Sequence, residues 1–360
     1  MRPYFLIFFC ALFIVYACSN SNGEKKQVQH PLKPIYVSEP TKYDTDDPTI
    51  WINPVNPANS LVLGTDKNED GAVYVYDLKG KIIADKVIYG LKRPNNIDVA
   101  YGVKTTFGVY DLALISERLT GKVRIYSLPD MKAMDGGGID VYVGETAEEY
   151  RDLMGIATYK DPKSHKVYVI PGRKNGPTNG TYLWQYELYG DAKSQTFKAK
   201  LVRKFGAFSG KKEIEALAVD SQLGYIYYCD ETFGVRKYYA NPKFGDKELA
   251  LFGKTDFKED HEGISIYCSS SKQGYIIISD QQRNCFNIYP REGSENKRHD
   301  HQLICRIPFS TIGSDGNEVT NVRLNNDFKR GLFVAMSEPK IFHFYQWEPI
   351  EEIILKNKSK

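Results

Sequence analysis

Apolar and polar positions alternate with a period of two over short runs, and the runs return at a regular interval along the chain. A tyrosine-centred run followed by a turn occurs six times: VYVYDLKG from residue 73, VRIYSLPD from 123, YLWQYELYG from 182, VRKYYANP from 235, FNIYPREG from 286 and FHFYQWEP from 342. Aligning Tyr76, Tyr126, Tyr186, Tyr238, Tyr289 and Tyr345 gives spacings of 50, 60, 52, 51 and 56 residues. Each copy follows a second apolar run (SLVLGTDK, DLALISER, KVYVIPGRK, GYIYYCDE, GYIIISDQQ, GLFVAMSE). A third run comes before that (DPTIWINP, NNIDVAYG, MGIATYKDP, IEALAVDS, EGISIYCSS, VTNVRLNND). Segments such as KIIADKVI, KAKLVRKFG and KELALFG take the place of a fourth. Four short strands in a period of this length make one propeller blade. The pattern predicts an all-β, six-bladed β-propeller with four-stranded blades as a single domain over residues 34–356, and no stretch of sustained 3.6-residue periodicity competes with it. Either PIYVSEP near residue 34 or EEIILK near the C-terminus supplies the strand that closes the ring.

The N-terminus reads differently. Arg2 precedes an apolar run, Tyr4 to Tyr16, too short for a comfortable membrane span, and VYACSN places a small residue before Cys18. That is the pattern of a bacterial lipoprotein signal, so residues 1–17 are expected to be a signal peptide and Cys18 the lipidated residue. The polar stretch that follows makes residues 18–33 a flexible tether. An exported lipoprotein of the cell envelope is expected, at the periplasmic face or the cell surface, touching membrane only through its anchor. Cys229, Cys268, Cys285 and Cys305 remain, and the sequence leaves open whether they form disulfides or stay buried thiols.

Composition narrows the functional classes. The chain is 42% hydrophobic with a formal net charge of +3 and carries no dense Lys/Arg stripe, which argues against nucleic acid as a partner. A monomer that binds a small polyanion is expected instead, for the following reason.

In a propeller blade the start of the channel-lining strand and the end of its neighbour lie on one face. Collected there are Asp44, Asp46, Asp47, Asn95, Asn96, Asp98, Arg151, Asp152, Glu213, Glu215, Asp260, His261, Glu262 and Glu318 from strand starts. Strand ends add Asp66, Lys67, Glu117, Arg118, Arg173, Lys174, Asp230, Glu231, Asp280, Gln281, Gln282 and Glu338. So many carboxylates on one rim call for hard divalent cations, and several calcium ions suit an all-oxygen set best. The candidate metal ligands are Asp46, Asp47, Asp98, Glu215, Asp230, Glu231, Asp260 and Glu262. Lys67, Arg118, Arg173 and Lys174 add a basic sector from the first three blades, fit for phosphate.

Four segments, DTDDPTIWINP, GTDKNEDGAVYVYDLKGK, PNNIDV and DHEGISIY, resemble the β-propeller phytase family in order and spacing over nearly the whole mature chain. The resemblance implies a six-bladed, calcium-dependent phosphomonoester hydrolase that releases phosphate from phytate by attack of metal-activated water. It implies that Asp47, Asp260 and Glu262 ligate calcium and that Glu215 either ligates calcium or orients the water. Lys67 and Arg118 would hold phosphate, with Arg173 at a position where the family is basic; Glu215, Lys67 and Arg118 are the expected catalytic residues. Three departures stand out: Met154 where the family often has Tyr, Lys174 where an acid is expected, and a last-blade segment, SDGNEVTN, in which Asp315 and Glu318 align poorly.

Other chemistries fit less well. The Cys285–Arg291 spacing mimics a cysteine-dependent phosphatase, but its spacer is a repeated apolar strand containing Pro290 instead of a Gly-rich loop. A calcium-dependent lactonase-like propeller and a non-catalytic surface propeller that captures a ligand or partner remain as alternatives.

Overall fold

The computed structural model describes residues 30–145 and 147–359, and its compact body begins at Pro31. The signal peptide, most of the tether and Cys18 lie outside the described residues. Leu32, expected in the tether, is already tied to the body, its N–H donating to the Pro308 carbonyl at 2.9 Å and its carbonyl accepting from Ser310 N–H at 2.9 Å.

Six four-stranded antiparallel sheets form the body. Their channel-side strands are Thr45–Trp51, Pro94–Thr105, Leu153–Lys160, Leu217–Asp220, Ile264–Cys268 and Asn317–Thr320. The last of these begins slightly earlier than its repeat suggests. All six aligned tyrosines fall in the third strand of their blade and are buried. Alternation puts the other residues of those strands against the neighbouring blade, and the hydrophobic core accordingly divides into six clusters, each shared by two adjacent blades. Cys229, Cys268, Cys285 and Cys305 are free thiols, buried except for the partly exposed Cys268.

The ring is closed from the N-terminal side. Tyr36–Val37 pairs with Ile341–Gln346 as the outer strand of the sixth blade, with Tyr36 opposite Phe344 and Val37 opposite His343. Glu39 N–H then donates to Gly80 of the first blade at 2.8 Å, so the segment spans the seam. EEIILK, the other candidate, is part of an α-helix, Trp347–Lys358. Its buried residues Trp347, Ile350, Glu351 and Ile354 stand at the i, i+3, i+4, i+7 spacing of one helix face. Trp347 stacks on Tyr267, ring centroids 3.7 Å apart, and Glu351 pairs with Arg330 at 2.6 Å.

Adjacent blades approach most closely at the channel mouth. A Cβ on Gly155 would overlap the carbonyl of Glu215 in the next blade, and one on Gly316 would overlap Asp47 across the closing seam. Only glycine lets the two backbones meet there. Gly155→Ala should therefore destabilise the fold by about 1–3 kcal/mol, the usual cost of overpacking, read as a lowered denaturant midpoint at unchanged m-value.

Candidate functional site at the channel mouth

One backbone device sets the mouth. In the first three blades the register between the channel-side strand and its neighbour slips between Thr45 and Pro48, between Pro94 and Ile97, and between Leu153 and Ile156. Each slip is a bulge that leaves two successive residues out of the ladder: Asp46–Asp47, Asn95–Asn96 and Met154–Gly155. The corresponding starts in the other blades carry Glu215, Glu262 and Asp315. Hydroxyls on the second strands hold these turns. Thr65 Oγ1 accepts from Asp47 N–H at 3.0 Å, Ser116 Oγ from Asn96 N–H at 3.0 Å and Ser279 Oγ from Gly263 N–H at 2.9 Å. Thr65 and Ser116 also donate to the bulge carbonyls of the following blade, those of Asn95 and Met154.

Side-chain parity at the second-strand ends then decides which charges reach the mouth. The residues after the hydroxyl positions, Asp66, Glu117, Asp230 and Asp280, turn away and anchor the loop that leads into their own blade. Their carboxylates accept from Asp44 N–H, Lys92 N–H, Ser209 N–H and Lys258 N–H respectively. Asp230 also pairs with Arg236 at 2.8 Å, so it is a loop anchor and not a metal ligand. Arg173 occupies the same position in the third blade with the polarity reversed. It is fully buried, donates to the carbonyls of Tyr182, Tyr150 and Thr181, pairs with Glu145 at 3.2 Å and lies 4.2 Å from the Tyr142 ring centroid. Its donors are spent, and the phosphate role expected for it does not hold. Asp98 also departs from expectation. It lines the channel below the mouth and accepts from Thr158 N–H and Oγ1 at 2.6 and 2.8 Å.

One position further on, Lys67, Arg118, Lys174, Glu231 and Gln281 reach the mouth. With Arg93, Asn95, Met154, Glu213, Glu215, Glu262 and Asp315, four of these line a cavity of about 240 Å³. Lys67 sits between Asp46 at 3.0 Å and Asp315 at 2.7 Å, and Lys174 pairs with Glu213 at 3.1 Å. Among the described residues neither Arg93 nor Arg118 forms an ion pair. On the opposite side, Gln281 Nε2 donates to both Glu262 and Asp315 at 2.6 Å, and Asn95 Nδ2 donates to Asp46 and Glu215 at 3.1 and 3.3 Å. His261 is buried against Phe257 and belongs to neither carboxylate group.

Two carboxylate triads share one member: Glu213, Glu215 and Glu231 in the first, Glu231, Asp260 and Glu262 in the second, each with oxygens within 4.8 Å of one another. Burial, reinforced by neighbouring acids, pushes Asp47 and Glu215 well above the usual carboxylate range. Burial raises Asp46 to about 7 and Glu231 to about 8 despite their lysine partners, and burial with the Asp315 charge raises Glu262 to about 11. Asp315 itself is held low although burial works against it, because the Lys67 charge and the hydrogen bonds from Glu262, Lys67 and Gln281 together outweigh that burial. Packed oxygens that repel one another, together with a fully buried Glu231 Oε1 that has no hydrogen-bond partner, fit a hard divalent cation.

Sequence reasoning groups Lys67, Arg118, Lys174, Asp46, Asp47, Glu215, Glu231, Asp260 and Glu262 on one rim, and in the structure they lie at or beside the mouth. It passes over Arg93, which has a positive φ of 55° just before Pro94, and Lys212, and it underrates Asp315. The hydroxyl pins had a legible signal, a Thr or Ser just before the anchor acid in GTDK, ISER and ISDQ.

Comparison with known proteins agrees with this geometry. The Phytase family model matches residues 19–343. The 3-phytase of Bacillus subtilis (strain 168) is 26% identical over 321 residues, covering 85% of this chain and 80% of that protein. A solved β-propeller domain, Cps50 (Swd1) of Myceliophteria thermophila, is similar over 87% of this chain and 99% of its own at 11% identity and TM-score 0.48, too loose a likeness to bear on function. Fold, mouth chemistry and family match together define a β-propeller hydrolase of the phosphatase type. The chain belongs to the phytase family.

The parity rule separates two adjacent basic residues. Arg173→Met should cost about 3–5 kcal/mol, because it removes a fully buried guanidinium and leaves the Tyr182 carbonyl buried and Glu145 and two further carbonyls half-buried without their partner, whereas Lys174→Ala should change stability by no more than about 0.5 kcal/mol. Chemical denaturation of both variants measures the contrast.

Proposed function

We propose that this chain is a calcium-dependent phosphomonoester hydrolase that takes phytate, or a phosphate ester of similar charge density, at the channel mouth. The observation that carries the reading is the division of the mouth: Lys67, Arg93, Arg118 and Lys174 on one arc, the two triads centred on Glu231 on the other. Glu213, Glu215, Glu231, Asp260 and Glu262 would hold calcium, with Asp46, Asp47 and Asp315 close by. Calcium bound there supplies positive charge for phosphate oxygens and lowers the pKa of water. The guanidinium groups of Arg93 and Arg118, without carboxylate partners, orient a phosphate by paired N–H donors. Lys67 stays charged, since Asp46, Asp315 and Glu215 together outweigh its burial, and adds a cation where the two arcs meet. Glu215, buried between the arcs, would in its ionised form accept a proton from an attacking water. Asn95 fixes its orientation. No side-chain nucleophile is needed, consistent with burial raising the Cys229 thiol well above its ordinary value and Cys285 to about 11. The reading includes export, lipid attachment at Cys18 and a monomeric body, all of which rest on sequence.

Phosphate release from phytate, followed with calcium and with chelator, tests it: activity should vanish with chelator and return on recalcification. Glu215→Gln should lower kcat at least about 100-fold and Arg118→Ala should lower kcat/KM about 10- to 100-fold, both with unchanged thermal unfolding in calcium. Tight phytate binding without release would favour a capture module, and lactone hydrolysis without phosphate release a lactonase.

Because Asp46, Glu215, Glu231 and Glu262 hold protons above the usual carboxylate range, calcium must displace them. Titrating calcium into weakly buffered protein should release more protons at pH 6 than at pH 9, where Asp46 and Glu231 are already ionised. Calorimetry in buffers of different ionisation enthalpy counts them.

A further inference from the structure

The triad of Glu231, Asp260 and Glu262 already contains a positive charge. Lys212 Nζ lies 2.6 Å from Asp260, 3.0 Å from Glu231 and 3.9 Å from Glu262. Its neighbour Lys211 instead lies over the Phe233 ring, 5.0 Å from the centroid. The loop that carries Lys212 is tied down on both sides. Ser209 donates through N–H and Oγ to Asp230 at 2.8 and 2.7 Å, and the Glu213 carbonyl accepts from Glu231 N–H at 3.2 Å. The lysine side chain, 38% exposed, can therefore leave by rotating its own bonds while the backbone stays in place.

An ammonium at these distances stands where a calcium ion would stand, since calcium takes its oxygens at about 2.3–2.6 Å. Two cations do not share that space. One positive charge cannot compensate all three groups once they are ionised, and Glu231 Oε1, fully buried, still lacks a partner. The ammonium holds the triad together without completing it.

We infer that Lys212 is a tethered, displaceable cation that occupies the Glu231–Asp260–Glu262 subsite until a divalent ion expels it, and so sets the affinity of that subsite. The inference rests on the reading of the triad as a divalent-cation site. Lysine occupancy reduces apparent affinity by the fraction of molecules with the subsite open; at about 90% occupancy the reduction is about tenfold. Expulsion also frees the ammonium to face the mouth.

The test uses the full chain and calcium alone. In Lys212→Gln, calorimetric titration should show one calcium-binding step strengthened about tenfold, while Lys212→Arg should stay near the parent. Without metal, Lys212→Gln should unfold at a lower temperature than the parent, and saturating calcium should abolish the difference. Unchanged or weakened calcium binding in Lys212→Gln, with the parent binding normally, would overturn the exchange and leave the metal reading intact. Absence of calcium binding in all three proteins would overturn the metal reading and the exchange with it.

Discussion

The mouth of this propeller depends on side-chain parity at a bulge. Two residues leave the ladder at the start of a channel-side strand, a hydroxyl pins them, and the next strand contributes alternately an anchor that points away and a group that points in. Shift any of these strands by one residue and Lys67, Arg118, Lys174 and Glu231 would exchange places with Asp66, Glu117, Arg173 and Asp230. The charge map would invert at the first two blades, where an acid would replace Lys67 and Arg118, and would keep its sign at the third and fourth. What the sequence encodes at these ends is a pair of adjacent polar residues, and the register assigns one to architecture and the other to chemistry.

The resulting electrostatics are asymmetric by blade. Blades one to three supply inward cations; blades four to six supply Glu215, Glu231, Glu262 and Asp315. The two halves meet where Lys67 bridges Asp46 and Asp315, and where Lys174 meets Glu213. Burying acids together raises the proton affinity of Asp46 and Glu231, and lysine ammonium groups stand between the carboxylates at Lys67 and Lys212.

Most of the fold was legible because the blade is a strong periodic object. Six tyrosines at similar spacing fixed the third strands, and the apolar runs before them fixed the other two. Less was legible at the ends. Tyr36–Val37 is only two residues of strand, and EEIILK reads as strand by composition although Trp347, Ile350 and Ile354 lie on one helix face. At the site, residue types were readable but parity was not, which is why Arg173 and Asp230 were grouped with the mouth. Asp315 was underrated because the sixth blade's channel strand starts two residues before its repeat suggests, displacing the alignment around it. Lys212 carries no motif; its place follows only from a loop tied at Ser209 and Glu213.

Closure by the N-terminal segment sets an order of assembly. Phe342 N–H reaches Ser38 Oγ across 304 residues, and Lys67 reaches Asp315 across 248. Contacts of that span form late, after the chain-length cost of bringing the ends together has been met by everything between. The meeting of Asp46, Lys67 and Asp315 therefore comes into being with the final seam. A nascent or clipped chain could hold five well-made blades and still lack the junction on which the mouth turns, so chemistry is withheld until the circle is complete.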